Sequence, residues 1–307
     1  MSGTAIMGGY AADLLFGDPS RRHPVAGFGR AAQLLERASY APSRARGAIF
    51  AGTLVAGAAA IGELLARACA RAGLGRGAAL AAITWASLGG RSLRREARCI
   101  AAALDAGDIE AARASLPRLV GRDPLQLDPE GMCRAVVESV AENTGDAVVC
   151  ALVWGALAGP AGVAAYRAAN TLDAMVGRRD ERYEQFGWAA ARLDDTMSWP
   201  GARAGALLAA ACAPLVGGQP RVAWDTLRRD GRAHPSPNAG RLEASFAGAL
   251  GLRLGGPLSY DGRVEQRPSL GDGAAATTND VRRANRLSAA VGAAAALLCW
   301  IVRKATA

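Results

Sequence analysis

The sequence predicts an all-α, polytopic integral membrane protein with about five apolar helices joined by helical and irregular cytoplasmic loops. Three observations point there. Hydrophobic residues make up 51% of the 307-residue chain while aromatics make up 5%, so the apolar content is mostly Ala, Leu and Val, which suits close helix packing. Stretches rich in Val, Ile, Thr and Tyr, which would favour strands, are missing. Apolar runs recur at about 48–66, 77–90, 147–166, 202–218 and 287–302. The expected organisation is a single membrane-embedded domain over 1–307. It has a soluble helical insert at 91–146 and polar loops at 17–46, 167–201 and 219–286.

The first sixteen residues lack a basic start and contain Asp13, so they read as a short buried helix and not as a cleaved signal peptide. A loop follows in which Gly17, Pro19 and Pro24 punctuate a display of Asp18, Arg21, Arg22, His23 and Arg30. Runs 48–66 and 77–90, linked by Arg67, Arg71 and Arg76, read as a helical hairpin in the membrane. Residues 91–121 are soluble in character, a mixed-charge helix followed by a turn at 105–107 and a second helix, with GRD at 121–123 beyond it. Segment 219–286 holds RRDGRAHPSPNAG and ALGLRLGGPLSYDG, dense in turn formers and read as exposed irregular structure. The last run ends in Arg303 and Lys304. Arginines before the first span and after the second outnumber those of the intervening link, which puts both flanks in the cytoplasm.

The net charge is +9, and Lys304 is the only lysine. Arginine clusters suit phosphates or anionic head groups. Aromatics are not interleaved with them and no nucleic-acid module is present, so no nucleic-acid partner is expected. Six cysteines without a CxxC pair argue against structural zinc or a disulfide framework. The two histidines, His23 and His234, each precede a proline, which holds the residue before it extended. Each is either a phosphate ligand or proton carrier, or a plain surface residue in a turn.

The central stretch is the most informative. Run 147–166 carries acids and amides at both ends, with Glu138, Glu142, Asn143 and Asp146 before it and Asn170 and Asp173 after it. On a helix, Glu138, Glu142 and Asp146 share one stripe at i, i+4, i+8. Three stacked carboxylates repel unless a cation, a proton or an arginine sits among them, which suggests a metal or phosphate site; the plain alternative is a solvated face paired with Arg134 and similar neighbours. GPAG at 159–162 breaks the run, leaving arms too short to cross a ~30 Å core. Either one kinked helix spans, or a re-entrant hairpin returns both ends to one face. The second is preferred if the acids share a site.

Taken together, DLLFGDPSRRHPV, LVGRD, ESVAENTGD, GPAGVAAYRAANTLDAMVG with FGWAAARLDD, HPSPNAG and LGGPLSYDG resemble the adenosylcobinamide-phosphate synthase family of cobalamin biosynthesis (CobD/CbiB), over nearly the whole chain and in order. The segment TMSWPGAR after the DD pair is shorter than the family pattern. The resemblance implies a multi-pass protein of the bacterial cytoplasmic membrane that joins adenosylcobyric acid to (R)-1-amino-2-propanol phosphate, or a related amino-alcohol phosphate, with ATP and Mg2+. Other cobalamin-pathway proteins are possible partners. Magnesium would then sit among Glu142, Asp146, Asp173, Asp194 and Asp195, with Asn143 and Asn170 orienting ligands. Arg30, Arg178, Arg192 and Arg232 would neutralise phosphates, and Asp18, Ser236 and Asn238 would help bind substrate. His23 or His234 would take the ammonium proton, with Glu142, Asp146 and Asp173 completing the catalytic set. No GxxxxGK[ST] loop is present, so any nucleotide site is of another kind. Competing readings are a membrane phosphotransferase, whose DGxxAR-type signature is absent, and a non-catalytic transporter or sensor.

Overall fold

Gly159 decides how the central segment runs. In the computed structural model it has φ 62° and ψ −148°, a backbone region that side-chain-bearing residues avoid, and Pro160 follows it. Gly155 and Val163 are thereby brought into contact, since a Cβ on Gly155 would lie 3.2 Å from Val163 Cγ2. Along a straight helix eight residues would separate them by ~12 Å. Tyr166 donates its hydroxyl to the Asp146 carbonyl (2.9 Å) across a span of twenty residues. The two arms of helix α8 (Cys150–Val176) therefore pack antiparallel, and both ends of the run lie at the same end of the hairpin.

The structure describes residues 3–18, 23–121, 127–178, 180–260 and 263–305, with backbone only at 257–260 and 263–266. Arg21, Arg22, Arg122 and Asp123 of the sequence motifs lie outside it. The chain divides into two compact units, residues 1–89, 146–201 and 296–307 in the first and 90–145 and 202–295 in the second.

The first unit contains α1 (Gly3–Phe16), α2 (Pro24–Ser39), α3 (Arg44–Arg71), α4 (Gly75–Ser87), the α8 hairpin, the short α9 (Tyr183–Phe186) and the first half of α10 (Trp188–Cys212). Its core joins Ala32, Phe50, Leu172, Val176 and Phe186. Helix α3 passes close to the hairpin tip at Gly62, where a Cβ would come within 2.7 Å of the Pro160 carbonyl. Beyond α3 the chain turns back into α4, and Glu63 on α3 accepts hydrogen bonds from Arg67 and from both ends of the Arg76 guanidinium.

The second unit contains α5 (Gly90–Asp105), α6 (Ile109–Ser115), α7 (Pro129–Thr144), the rest of α10, α11 (Pro220–Asp230), α12 (Ala239–Leu250), the hairpin β1 (Leu254–Tyr260) with β2 (Arg263–Leu270), and most of α13 (Thr278–Ala305). Helices α11 and α12 touch where Gly248 admits the Ala223 backbone. The strands pair antiparallel, Leu254 with Leu270 and Gly256 with Arg267, and a bulge lies between. Glu138 on α7, 3% exposed, accepts the Gly255 N–H in that bulge at 2.7 Å.

The all-α membrane class stands, with three helices among the described residues long and apolar enough to cross a bilayer: Arg44–Arg71, Pro129–Val176 and Thr278–Ala305. Two of the five expected apolar segments do not qualify. Run 77–90 forms α4, whose thirteen residues reach only ~20 Å. Run 202–218 begins inside α10 and ends in a short 3-10 turn. The expected loops are also more ordered than their turn formers suggest: 17–46 contains α2, 167–201 is largely helical, and 219–286 holds two helices and the strand pair. Helix α10 runs through TMSWPGAR with Pro200 inside it.

Candidate functional site

Two polar constellations stand out, one in each unit. In the first unit, the antiparallel register that sets Cys150 beside Tyr166 puts Asp146 and Asn170 at the same end of the hairpin. Asn170 Nδ2 donates to Asp194 Oδ1 (3.3 Å), the Ser198 hydroxyl donates to the same oxygen (3.4 Å), and Arg167 donates to Asn170 Oδ1 (3.2 Å). Asp194 is 8% exposed, with Asp173 and Asp195 within electrostatic reach. Burial and the neighbouring Asp173 carboxylate push Asp194 up to about 7, and the Asn170 hydrogen bond only partly opposes them. A buried carboxyl in that range exchanges a proton at neutral pH.

The five-acid metal set does not form. Among the described residues no three His, Cys, Asp or Glu side chains converge closely enough to hold a metal ion. The stripe of acids fails for a local reason. A π-helical turn at Gly145–Val149 interrupts the four-residue spacing before Asp146, Glu138 is buried against the β-bulge, and Glu142 is exposed.

His23 is the N-cap of α2, and its Nδ1 accepts the Val25 N–H at 3.1 Å. That bond places the proton of the neutral ring on Nε2, so His23 can donate but has no free lone pair for an incoming proton. Burial lowers its pKa; the Asp18 carboxylate opposes this and Arg167 adds to it. Arg30, Arg178 and Arg192 are exposed.

In the second unit, the HPSPNAG motif wraps the start of α12. Ser236 Oγ accepts the Ala239 N–H (3.1 Å), and Asn238 is the N-cap residue. Asn238 Oδ1 accepts from Arg203 (2.8 Å), which lies within electrostatic reach of Arg241 on the first turn of α12. The Arg241 Nε is buried and has no hydrogen-bond partner among the described residues. Guanidiniums gathered at a helix N-terminus are the kind of group that suits an anion. His234 Nδ1 accepts the Ser236 N–H (3.0 Å), while its Nε2 lies 3.1 Å from Arg267 and 3.7 Å from the buried Glu243. Its ring, too, is locked in place, so the proton-acceptor role expected of either histidine is not supported by the geometry. Arg232 is exposed, and Asn143 donates to the Ser139 carbonyl one helical turn back.

Arg203, Arg241, Arg267, Glu243 and Ser198 were not singled out from the sequence. Sequence signals existed for two of them. Arg203 closes TMSWPGAR, and Arg241 follows HPSPNAG directly, three residues after the N-cap.

The CobD/CbiB protein family profile matches residues 6–288. A protein of Mycobacterium tuberculosis (strain ATCC 25618 / H37Rv) named cobalamin biosynthesis protein CobD is 52% identical over 293 residues, covering 95% of this chain and 93% of its own length. Proteins of the same name from Pelobacter propionicus and Chromobacterium violaceum are 43% and 42% identical, over 85% and 90% of this chain and 82% and 88% of their own lengths. No solved structure matches.

Proposed function

The chain belongs to the CobD/CbiB family and acts in cobalamin biosynthesis, and from that membership we propose that it is the adenosylcobinamide-phosphate synthase of the pathway. It joins a propionate carboxylate of adenosylcobyric acid to the amine of (R)-1-amino-2-propanol phosphate, or a related amino-alcohol phosphate, at the expense of ATP. A carboxylate does not react with an amine unaided, so ATP transfers its γ-phosphoryl group to the carboxylate oxygen, releasing ADP. The amine nitrogen then attacks the acyl carbon, and phosphate leaves with the former carboxylate oxygen.

The observation that carries this reading at the level of residues is the Arg203–Arg241 pair at the head of α12, with its unpartnered Nε. It suits the phosphate of the amine substrate or a phosphate of ATP. Asp194, raised toward neutrality and held by Asn170 and Ser198, suits the base that takes the ammonium proton before attack. Arg167 orients Asn170, and His23 and His234 position their loops. Magnesium enters as part of the MgATP substrate, held chiefly by phosphate oxygens. The protein sits in the bacterial cytoplasmic membrane with its motif loops on the cytoplasmic side, where ATP and both substrates are found, and other cobalamin-pathway proteins are candidate neighbours.

The broken hairpin at Gly159 is the one observation that favours a transporter or sensor, because transporters use such interrupted helices. The test is amide formation by detergent-purified protein given the two substrates, magnesium and ATP. Product that appears without nucleotide refutes the ligase mechanism, and substrate uptake by vesicles in the absence of product supports the transporter.

A further inference from the structure

A cavity of the first unit is lined by residues of which only Arg167 enters the chemistry above. It encloses about 620 Å³ between α2, α3, α4 and the second arm of α8. Its walls are mostly hydrocarbon, from Phe28, Leu54, Ile61, Leu65 and Ile83, and Arg167 is the one charged residue in its lining. The Arg167 Nε is buried and has no hydrogen-bond partner among the described residues. Ile61 and Leu65 line the cavity and are also 60% and 48% exposed, so the cavity opens onto an apolar surface. That surface belongs to α3, a helix of membrane-crossing length of whose most apolar window only 17% is buried in the protein.

A corrinoid, fringed with amides, does not suit these walls, because its polar groups would lose water and find few partners. A hydrocarbon chain loses nothing there, and a negative head group answers the Arg167 cation in the lining. We propose that the cavity is a lipid site that takes one acyl chain of an anionic phospholipid from the bilayer, with the head group paired to Arg167. Because Arg167 also donates to Asn170, lipid occupancy and the order of the Asp194 cluster are linked.

The glycines supply the test. A Cβ on Gly57 or Gly27 meets nothing within 4 Å, and both residues line the cavity, so Gly57→Leu and Gly27→Leu have room at Cβ and add side-chain bulk at its wall. Gly52, on α3 like Gly57, is equally open but does not line the cavity, so Gly52→Leu is the control. The protein is placed in phosphatidylcholine nanodiscs containing trace phosphatidylglycerol with a diazirine in one acyl chain, irradiated, and mapped by peptide mass spectrometry. The expected result is saturable labelling of segments 53–65 and 164–171. It falls about tenfold in Gly57→Leu or Gly27→Leu and is unchanged in Gly52→Leu. It exceeds labelling by the matching phosphatidylcholine probe, and Arg167→Gln removes that preference. Labelling of the wild type that does not saturate, or that survives both cavity-filling variants, overturns the site. Equal labelling by the two head groups overturns the anchor. The wild-type saturation arm decides the matter even if a variant fails to fold, and none of these readouts depends on amide ligation.

Discussion

Replacing Asp194 with asparagine separates the stability of the acid cluster from its chemistry. The carboxyl has an ordinary value of 3.8 and is raised to about 7 in the fold, first by burial and then by Asp173. The folded state thus holds a proton that the unfolded chain releases, and stability falls as pH rises from about 4 to about 7. At about 1.4 kcal/mol per unit, the charged form costs the wild type roughly 4 kcal/mol above pH 7 and almost nothing at pH 4. Asparagine is neutral, nearly isosteric, and keeps an oxygen for Asn170 and Ser198. The Asp194→Asn variant is therefore expected to match the wild type at pH 4 and to exceed it at pH 8, by a melting-midpoint difference of about 8 °C at ~2 °C per kcal/mol. The assay is thermal unfolding in detergent across that pH range, paired with amide-ligation rates. Activity should move the opposite way, with product formation lost in the variant. A midpoint difference that does not change with pH, or a variant less stable at pH 8 than the wild type, would refute the reasoning.

The remaining expectations follow from single contacts. Cysteines introduced together at Gly155 and Val163 should form a disulfide on mild oxidation, because the hairpin brings these positions into contact; a straight helix holds them too far apart to bridge, and no cross-link would contradict the turn at Gly159. Arg241→Ala should raise the KM for the phosphate-bearing substrates by about 10- to 100-fold, since a hydrogen bond to a charged group contributes about 1.5–3 kcal/mol; steady-state kinetics showing an unchanged KM would remove the anion site. His23→Asn should keep ligation within a few-fold of the wild type, because asparagine also caps a helix N-terminus. A hundredfold loss in kcat would restore His23 as the base.

Much of the fold was legible, and the gaps have physical causes. Alanine-rich apolar runs and absent strand formers gave the helical membrane class, and GPAG marked the turn of the hairpin because only glycine tolerates the backbone angles at Gly159. Run length was a weaker guide: 77–90 has membrane hydropathy, yet Gly75 and the turn after Ser87 trim it to thirteen residues. The order within 219–286 was hidden because Gly and Pro mark turns but not the short helices between them. In the site, ENTGD and LDD located the acids, while their grouping depended on the π turn at Gly145–Val149 and on the fold-back of α8, which residue spacing does not reveal. Arg203 and Arg241 were overlooked because they lie 38 residues apart and only α10 and α12 bring them together. The histidines drew attention by their rarity, but each ring is committed to a backbone N–H two residues on.

The most direct test is formation of adenosylcobinamide phosphate by detergent-purified protein supplied with adenosylcobyric acid, aminopropanol phosphate, magnesium and ATP, alongside Asp194→Asn and Arg241→Ala. Product from the wild type that requires ATP, none from Asp194→Asn, and product from Arg241→Ala only at raised phosphate-substrate concentration is the predicted result. Product formed without ATP, or at the wild-type rate by Asp194→Asn, would contradict the ligase mechanism and the assignment of its base.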